Sequence, residues 1–271
     1  MSEIPQVLSI AGVDSSGGAG INADVRTFDV LRTYSATVIT GITAQNTLGV
    51  QHILPTPVDM IKAQMSSVMA DLSIKTIKTG ALFNADIVKT VGQLISDVAK
   101  DIPVIVDPVM IAKGGAQLLS DSAIDALVQY VLPHTFLLTP NLLEAEVITG
   151  KLATDKASMH AVALKLQTLG AKNILLKGGH GQGLIVQDLL LTVDGDVFWY
   201  EANRVKTQRT HGTGDTLSAY LTAGLAHGHQ LVDIMPGARR FMNDVIQNEI
   251  IVGAGHGPLN HWAGGNSFDI N

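Results

Sequence analysis

No cysteine occurs among the 271 residues of the chain. Disulfides, cysteine metal sites and thiol nucleophiles are therefore excluded, and a reducing compartment fits. Charge is scarce as well: 15% of residues are charged against 46% hydrophobic, which makes a membrane protein the first class to test. That class fails, because no uninterrupted apolar run approaches the roughly 18–20 residues needed to span a bilayer. Residues 1–6 have neither the basic start nor the apolar stretch of a secretory leader, so a cytoplasmic location is expected. The formal charge of -6, without any basic stripe, argues against a nucleic-acid-binding surface, which needs clustered Lys and Arg to neutralise phosphates. No Pro/Gly/Ser-rich linker or charge block divides the chain, and no internal repeat interrupts it. The expectation is one α/β domain over residues 1–271.

What is present is a recurrence of short apolar runs, at residues 7–11, 36–42, 74–79, 104–106, 136–139 and 173–176. Between them lie segments with helical spacing, such as Met60, Ile61, Met65, Val68, Met69 and Leu72. This alternation predicts βα units and a mainly parallel sheet flanked by helices. Residues 189–193 and 197–200, joined by Asp194-Gly195-Asp196, instead predict a late antiparallel hairpin. Two helical patterns follow, at 215–226 and 231–252.

In open parallel sheets ligands bind beyond the carboxyl ends of the strands. The residues just after the apolar runs are almost all polar or glycine-rich. They are Gly12 to Gly20, Thr43 to Thr47, Gly80-Ala81-Leu82, Asp107-Pro108-Val109, Pro140-Asn141-Leu142-Leu143-Glu144 and Lys177-Gly178-Gly179-His180. One site along one rim is implied. Gly18-Ala19-Gly20-Ile21-Asn22-Ala23 fits a dinucleotide pattern, yet the ribose-binding acid expected about 20 residues later is missing. A dehydrogenase is disfavoured on that ground. A Walker-type NTPase is excluded, because no G-x-x-x-x-G-K-[ST] sequence occurs.

The most informative segment is Thr210-His211-Gly212-Thr213-Gly214-Asp215, followed at once by an amphipathic helix. Free amide N–H groups and the positive end of a helix would converge there to hold an anion. Asp215 would be placed to take a proton from a hydroxyl, although a first-turn acid is common in any helix. Gly212-Thr213-Gly214-Asp215 resembles the G-x-G-D signature of ribokinase-like kinases. Further stretches resemble the hydroxymethylpyrimidine kinase branch of that superfamily: Ser9 to Gly12 with Ser15 to Ile21, Ala23-Asp24, Ala44-Gln45-Asn46-Thr47, Val106 to Met110, Thr139 to Ala145, Lys177 to His180 and Gly255 to Pro258.

The resemblance implies a ribokinase-like α/β fold and Mg-ATP-dependent phosphorylation of 4-amino-5-hydroxymethyl-2-methylpyrimidine in thiamine synthesis, with its monophosphate as a second acceptor. By resemblance, Asp215 is the base and the amides of Gly212 and Gly214 form the anion hole. Gln45 reads the aminopyrimidine ring, and its planar acceptor and donors suit a ring nitrogen beside an amine. Asp24, Gly12, Ala81 and Val109 complete the substrate side. Lys177, Asn141, Thr210 and Gly212 hold ATP, while Asp107 and Glu144 hold Mg, through water or phosphate, a task suited to oxygen ligands. Each has a plainer alternative: a loop-stabilising amide for Gln45, a first-turn acid for Asp24, a helix start for Asn141 and Glu144, a turn cap for Asp107 and a strand-end lysine for Lys177. None of the nine histidines has metal-site spacing. The resemblance further implies a homodimer and leaves room for an activating monovalent cation.

Two positions depart from the branch: Asp215 stands where Cys is usual, and Ala81 where Met is common. A pyridoxal or pyridoxine kinase is the alternative within the same chemistry, and a non-catalytic nucleotide-binding regulator the alternative from another class.

Overall fold

The computed structural model describes residues 4–112, 115–180 and 183–266, so the start of the chain read for a leader falls partly outside them. Among the described residues, nine strands form one sheet: β1 (Gln6–Asp14), β2 (Tyr34–Asn46), β3 (Gly49–Pro55), β4 (Ile74–Thr79), β5 (Val104–Val106), β6 (Leu137–Leu138), β7 (Asn173–Leu176), β8 (Ile185–Leu191) and β9 (Val197–Asn203). Their order is β3-β2-β1-β4-β5-β6-β7-β8-β9. From β2 to β7 every pairing is parallel; β3, β8 and β9 pair antiparallel at the two ends. The described residues also form eight α-helices: α1 (Gly20–Val30), α2 (Val58–Asp71), α3 (Ala85–Val98), α4 (Asp121–Ala126), α5 (Leu142–Thr149), α6 (Lys156–Thr168), α7 (Thr213–Ala226) and α8 (Leu231–Gln247).

The strands read as apolar runs because both faces of the sheet are covered. Successive side chains point to opposite faces. Val7, Ile105, Leu137, Leu175 and Leu190 therefore join α1, α7 and α8 in one core. Their neighbours Leu8, Val104, Val106, Leu138, Ile174, Leu176 and Leu189 join α2, α3, α4 and α6 in the other. Burying a Leu or Val in this way stabilises the fold by about 1.5–3 kcal/mol per side chain.

Four local expectations change. The first two strands run past their apolar runs to Asp14 and Asn46. β3 has no counterpart among the predicted runs, because Gly49-Val-Gln-His-Ile-Leu-Pro is exposed or half-buried throughout and lacks a core-facing stripe. The strand expected at 136–139 shrinks to Leu137–Leu138, and the last helix stops at Gln247. Among the described residues, no helix is long and apolar enough to cross a membrane.

Chain direction sets the position of the site. β1 leads to β2 on one side, whereas β4 and its successors lie on the other, so the sheet opens a crevice between the carboxyl ends of β1 and β4. Phe83, just after β4, sits in the left-handed region at φ 62° with its ring wedged over β1 and β2. The slot for that ring is made by paired Gly12 and Gly41, where a Cβ on either would come within 2.6 Å of the ring. Gly41→Ala should therefore cost about 1–3 kcal/mol of stability through overpacking, read by urea denaturation. A loss below about 0.5 kcal/mol would mean that Phe83 moves aside freely.

Candidate active site

The strand ends and the start of α7 enclose a cavity of about 490 Å³. Gly12, Gln45, Ala81 and Val109, expected on the substrate side, line one part of the wall. Asp107, Asn141, Glu144 and Lys177 line a second part, and Thr210, Gly212, Gly214 and Asp215 a third. The first two groups come from the rim reading of the sequence and the third from the glycine turn before a helix. Asp24 is the exception: it is fully buried and lies behind the wall rather than on it.

Two glycines bring the first loop, the start of α7 and Lys177 together. Gly212 caps α7 at φ 83°, and a Cβ there would run into the carbonyl oxygen of Gly18, so the first loop and the start of α7 touch backbone to backbone. A Cβ on Gly214 would lie 3.0 Å from Asp107 Oδ2 and 3.3 Å from Lys177 Nζ. The positive end of a helix thus faces an ammonium and a carboxylate across a gap without side chains. Lys177 Nζ donates to Asp107 Oδ1 at 2.8 Å. Burial works against the charge of Lys177, but Asp107 and Glu144 outweigh it and hold the ammonium above its usual range.

Asn141 and Glu144 turn out to combine the two readings open for them. Asn141 Oδ1 accepts from the amides of Leu143 and Glu144, both at 2.9 Å, and Glu144 Oε2 accepts from the Asn141 amide at 2.8 Å. This is a complete capping box at the start of α5. Both residues nevertheless line the cavity. Burial pushes the Glu144 carboxyl up to about 7 against the pull of Lys177. Asp107 keeps Oδ2 toward Gly214, so hard oxygen donors suited to Mg are present, but the described residues offer no cluster of three acids or histidines. Protein ligands could supply only part of a Mg shell.

Beneath the wall lies a charged cluster that the sequence reading missed. Lys78, on β4, is wholly inaccessible to water; its Nζ donates to Asp24 Oδ1 at 2.6 Å and to Asp215 Oδ1 at 3.3 Å. Ser9 Oγ donates to Asp24 Oδ2 at 2.6 Å. Burial opposes the Lys78 charge, yet the carboxylates of Asp24 and Asp215 win and hold its pKa well above the ordinary range. Burial raises Asp24 to about 7 despite Lys78. A lysine inside the apolar run Ile74–Thr79 was the available signal.

The lining also includes the apolar Val186, Ala202, Val205, Met242 and Ile246 and the ion pair of half-buried Arg239 with buried Asp188. Asp188 also accepts from the Gly178 amide at 2.9 Å. Apolar lining with a few charged and polar groups suits a small ligand that is flat at one end and polar at the other.

A family model described as phosphomethylpyrimidine kinase matches residues 14–260. The chain is 46% identical over 266 residues to the hydroxymethylpyrimidine/phosphomethylpyrimidine kinase of Haemophilus influenzae, covering 97% of this chain and 98% of that one. Among solved structures, it resembles an ADP complex of Bacillus subtilis pyridoxal kinase with a TM-score of 0.87 and 30% identity, over 96% of this chain and 98% of that one. It also resembles a phosphomethylpyrimidine kinase from Clostridium difficile with a TM-score of 0.79 and 35% identity, over 90% and 100% of the two chains.

Lys78→Met would strand Asp24 as a buried carboxylate without a cation, at a cost of about 3–5 kcal/mol. The double variant Asp24→Asn/Lys78→Met removes both charges and should recover most of that loss. Urea unfolding at pH 8 measures both. A double variant no more stable than Lys78→Met would show that the two side chains act independently.

Proposed function

This chain belongs to the phosphomethylpyrimidine kinase family, and from that premise we propose that it transfers the γ-phosphoryl group of ATP to the primary hydroxyl of 4-amino-5-hydroxymethyl-2-methylpyrimidine, with the monophosphate as a poorer second acceptor. The observation that carries this reading is the meeting of Asp215, the glycine-lined start of α7 and Lys177 in one cavity that also holds Gln45. Relatives with hydroxymethylpyrimidine/phosphomethylpyrimidine in their names and the ADP-bound neighbour support the substrate class and the nucleotide.

The roles follow from the chemistry of the residues. The Asp215 carboxylate accepts the hydroxyl proton as the new P–O bond forms, its Oδ1 steadied by Lys78. Amides at the start of α7, with Gly212 and Gly214, face the charge that spreads over the transferring phosphoryl oxygens. Lys177 and Asn141 hold the nucleotide phosphates, with Thr210 on the same wall. Asp107 and Glu144 would hold Mg, partly through water, and a bound Mg would neutralise phosphate charge. Gly12, Ala81, Val109 and Gln45 enclose the ring. Asp24 acts behind them by keeping Lys78 in place.

Residues 1–271 are read as one kinase domain, which the unbroken nine-stranded sheet supports. A homodimer through β2 and β3 is supported by Ile42 and its cross-strand partner Leu54, which are 49% and 61% exposed beside the open edge of the sheet. The pyridoxal-kinase neighbours make vitamin B6 alcohols the substrates to compare against, and kinetics on both alcohols separates the two readings.

Asp215→Asn keeps the size of the side chain and removes proton acceptance, so turnover on the free alcohol should fall about 100-fold or more with little change in the KM for ATP. A near-normal rate would remove the base assignment. The second phosphorylation tests the same residue differently. A phosphate monoester carries about -1.5 to -2 charge at neutral pH and needs no base. Its repulsion from a carboxylate at 215 would cost about 1–4 kcal/mol in a site shielded from water. Asp215→Cys should therefore shift the kcat/KM ratio toward the monophosphate, and an unmoved ratio would count against the repulsion.

A further inference from the structure

Asp14 and His211 line the cavity without a role in the scheme above. Asp14 ends β1 and is 4% exposed. Its Oδ1 accepts from the amide and hydroxyl of Ser16, at 2.8 and 2.7 Å, and its Oδ2 from the amides of Gly18 and Ala19, at 3.1 and 2.9 Å. His211 Nε2 lies 2.7 Å from the same Oδ2. Burial alone would raise Asp14, but the bonds from His211 and Ser16 hold it below the usual carboxylate range. An ionised carboxylate can only accept, so the proton of this contact sits on His211 Nε2.

That proton constrains Gln45. The side-chain nitrogen of Gln45 lies 3.0 Å from His211 Nε2 and its oxygen 3.1 Å from Thr43 Oγ1. A protonated Nε2 has no lone pair for an amide N–H, so two donors would face each other. Thr43 Oγ1 is also 3.1 Å from the Val13 carbonyl and has one proton for two acceptors. Both conflicts vanish when the amide is turned over. Gln45 Oε1 then shares the His211 Nε2 proton, Gln45 Nε2 donates to Thr43 Oγ1, and Thr43 donates to Val13.

We propose that His211, held Nε2-protonated by Asp14, is a positioning residue that fixes the orientation of the Gln45 amide and thereby makes the site select an amino-pyrimidine alcohol over its oxo analogue. The inference rests on the reading that Gln45 faces the substrate ring. With the amide so fixed, its free acceptor lies on the His211 side and its free donor on the Thr43 side. An exocyclic amine beside a bare ring nitrogen matches that order. A 4-oxo ring presents a carbonyl beside a ring N–H, so acceptor meets acceptor and donor meets donor. The ring cannot simply be reversed, because its hydroxymethyl group must reach Asp215.

The position of His211 supports a fixed ring rather than a free one. The side chain is 6% exposed, and a Cβ on Gly18 would lie 2.5 Å from its Cδ2. Its backbone amide is tied to the Gly257 carbonyl at 3.3 Å. Rotation of the imidazole would have to displace the first loop.

The test compares kcat/KM for the 4-amino alcohol and its 4-oxo analogue at saturating Mg-ATP, in wild type, His211→Leu, His211→Gln and Gln45→Leu. His211→Leu should narrow the amino-over-oxo preference about tenfold or more, through the KM of the amino alcohol and with the KM for ATP unchanged. His211→Gln has two amide protons, one for Asp14 and one for Gln45, and should keep the preference within about threefold of wild type. Equal losses on both alcohols in both His211 variants, with the preference unmoved, would overturn the proposal as mere packing. Gln45→Leu separates the two layers. If it leaves the preference intact, the ring-reading role of Gln45 fails and the proposal with it. If it abolishes the preference while His211→Leu does not, only the role of His211 fails. Should His211→Leu not fold, nitrogen-15 NMR of the wild-type imidazole decides: a proton on Nε2 supports the proposal, and a ring protonated at Nδ1 alone overturns it.

Discussion

A lysine ammonium sealed from water needs anionic partners, and the arrangement of this protein's active site depends on how Lys78 finds them. Its partners are Asp24 on α1 and Asp215 on α7, so one charge on the central strand β4 ties together the two helices that flank the cavity. Leaving that charge unpaired would cost several kcal/mol, a large fraction of the stability of a typical domain. The cluster therefore places Asp215 as firmly as packing does. It also gives the carboxylate an electrostatic surrounding that a neutral side chain at the same position would not share.

Backbone contact does comparable work on the other side of the cavity. The first loop and the start of α7 meet where Gly212 passes the Gly18 carbonyl, and Gly214 leaves room for Asp107 and Lys177. Side chains there would hold the start of α7 away from the first loop and from the Lys177 ammonium. The buried dyad Asp14–His211 secures the same junction from the side of Gln45, since Asp14 also gathers the amides of Gly18 and Ala19. Asp14, His211 and the start of α7 thus all meet on the first loop.

Individual residues also serve two purposes. Asn141 and Glu144 were open between a helix start and a nucleotide site, and the structure gives them a capping box on the cavity wall. The two readings do not compete, because a helix N-terminus is itself an anion-binding feature and its caps sit beside the bound charge. Asp24 went the other way. Its placement in the motif suggested contact with substrate, whereas its carboxylate is consumed by Lys78 and Ser9 behind the wall.

The sequence by itself determined the sheet-and-helix alternation, the rim on which the site lies and most of its wall, from Gly12 and Gln45 to Asp215. Those features are local: strand-length apolar runs, glycines and polar residues at their carboxyl ends, and a glycine turn before a helix. Only the tertiary structure decided β3, the Lys78 cluster and the pairing of Asp14 with His211. β3 is held by hydrogen bonds to β2 rather than by a buried stripe, so its composition carries no period. Lys78 and Asp215 are far apart along the chain, as are Asp14 and His211, and nothing in either neighbourhood names its partner. Buried charges must be paired, but which ones pair is set by the strand order and by the helices that cross it.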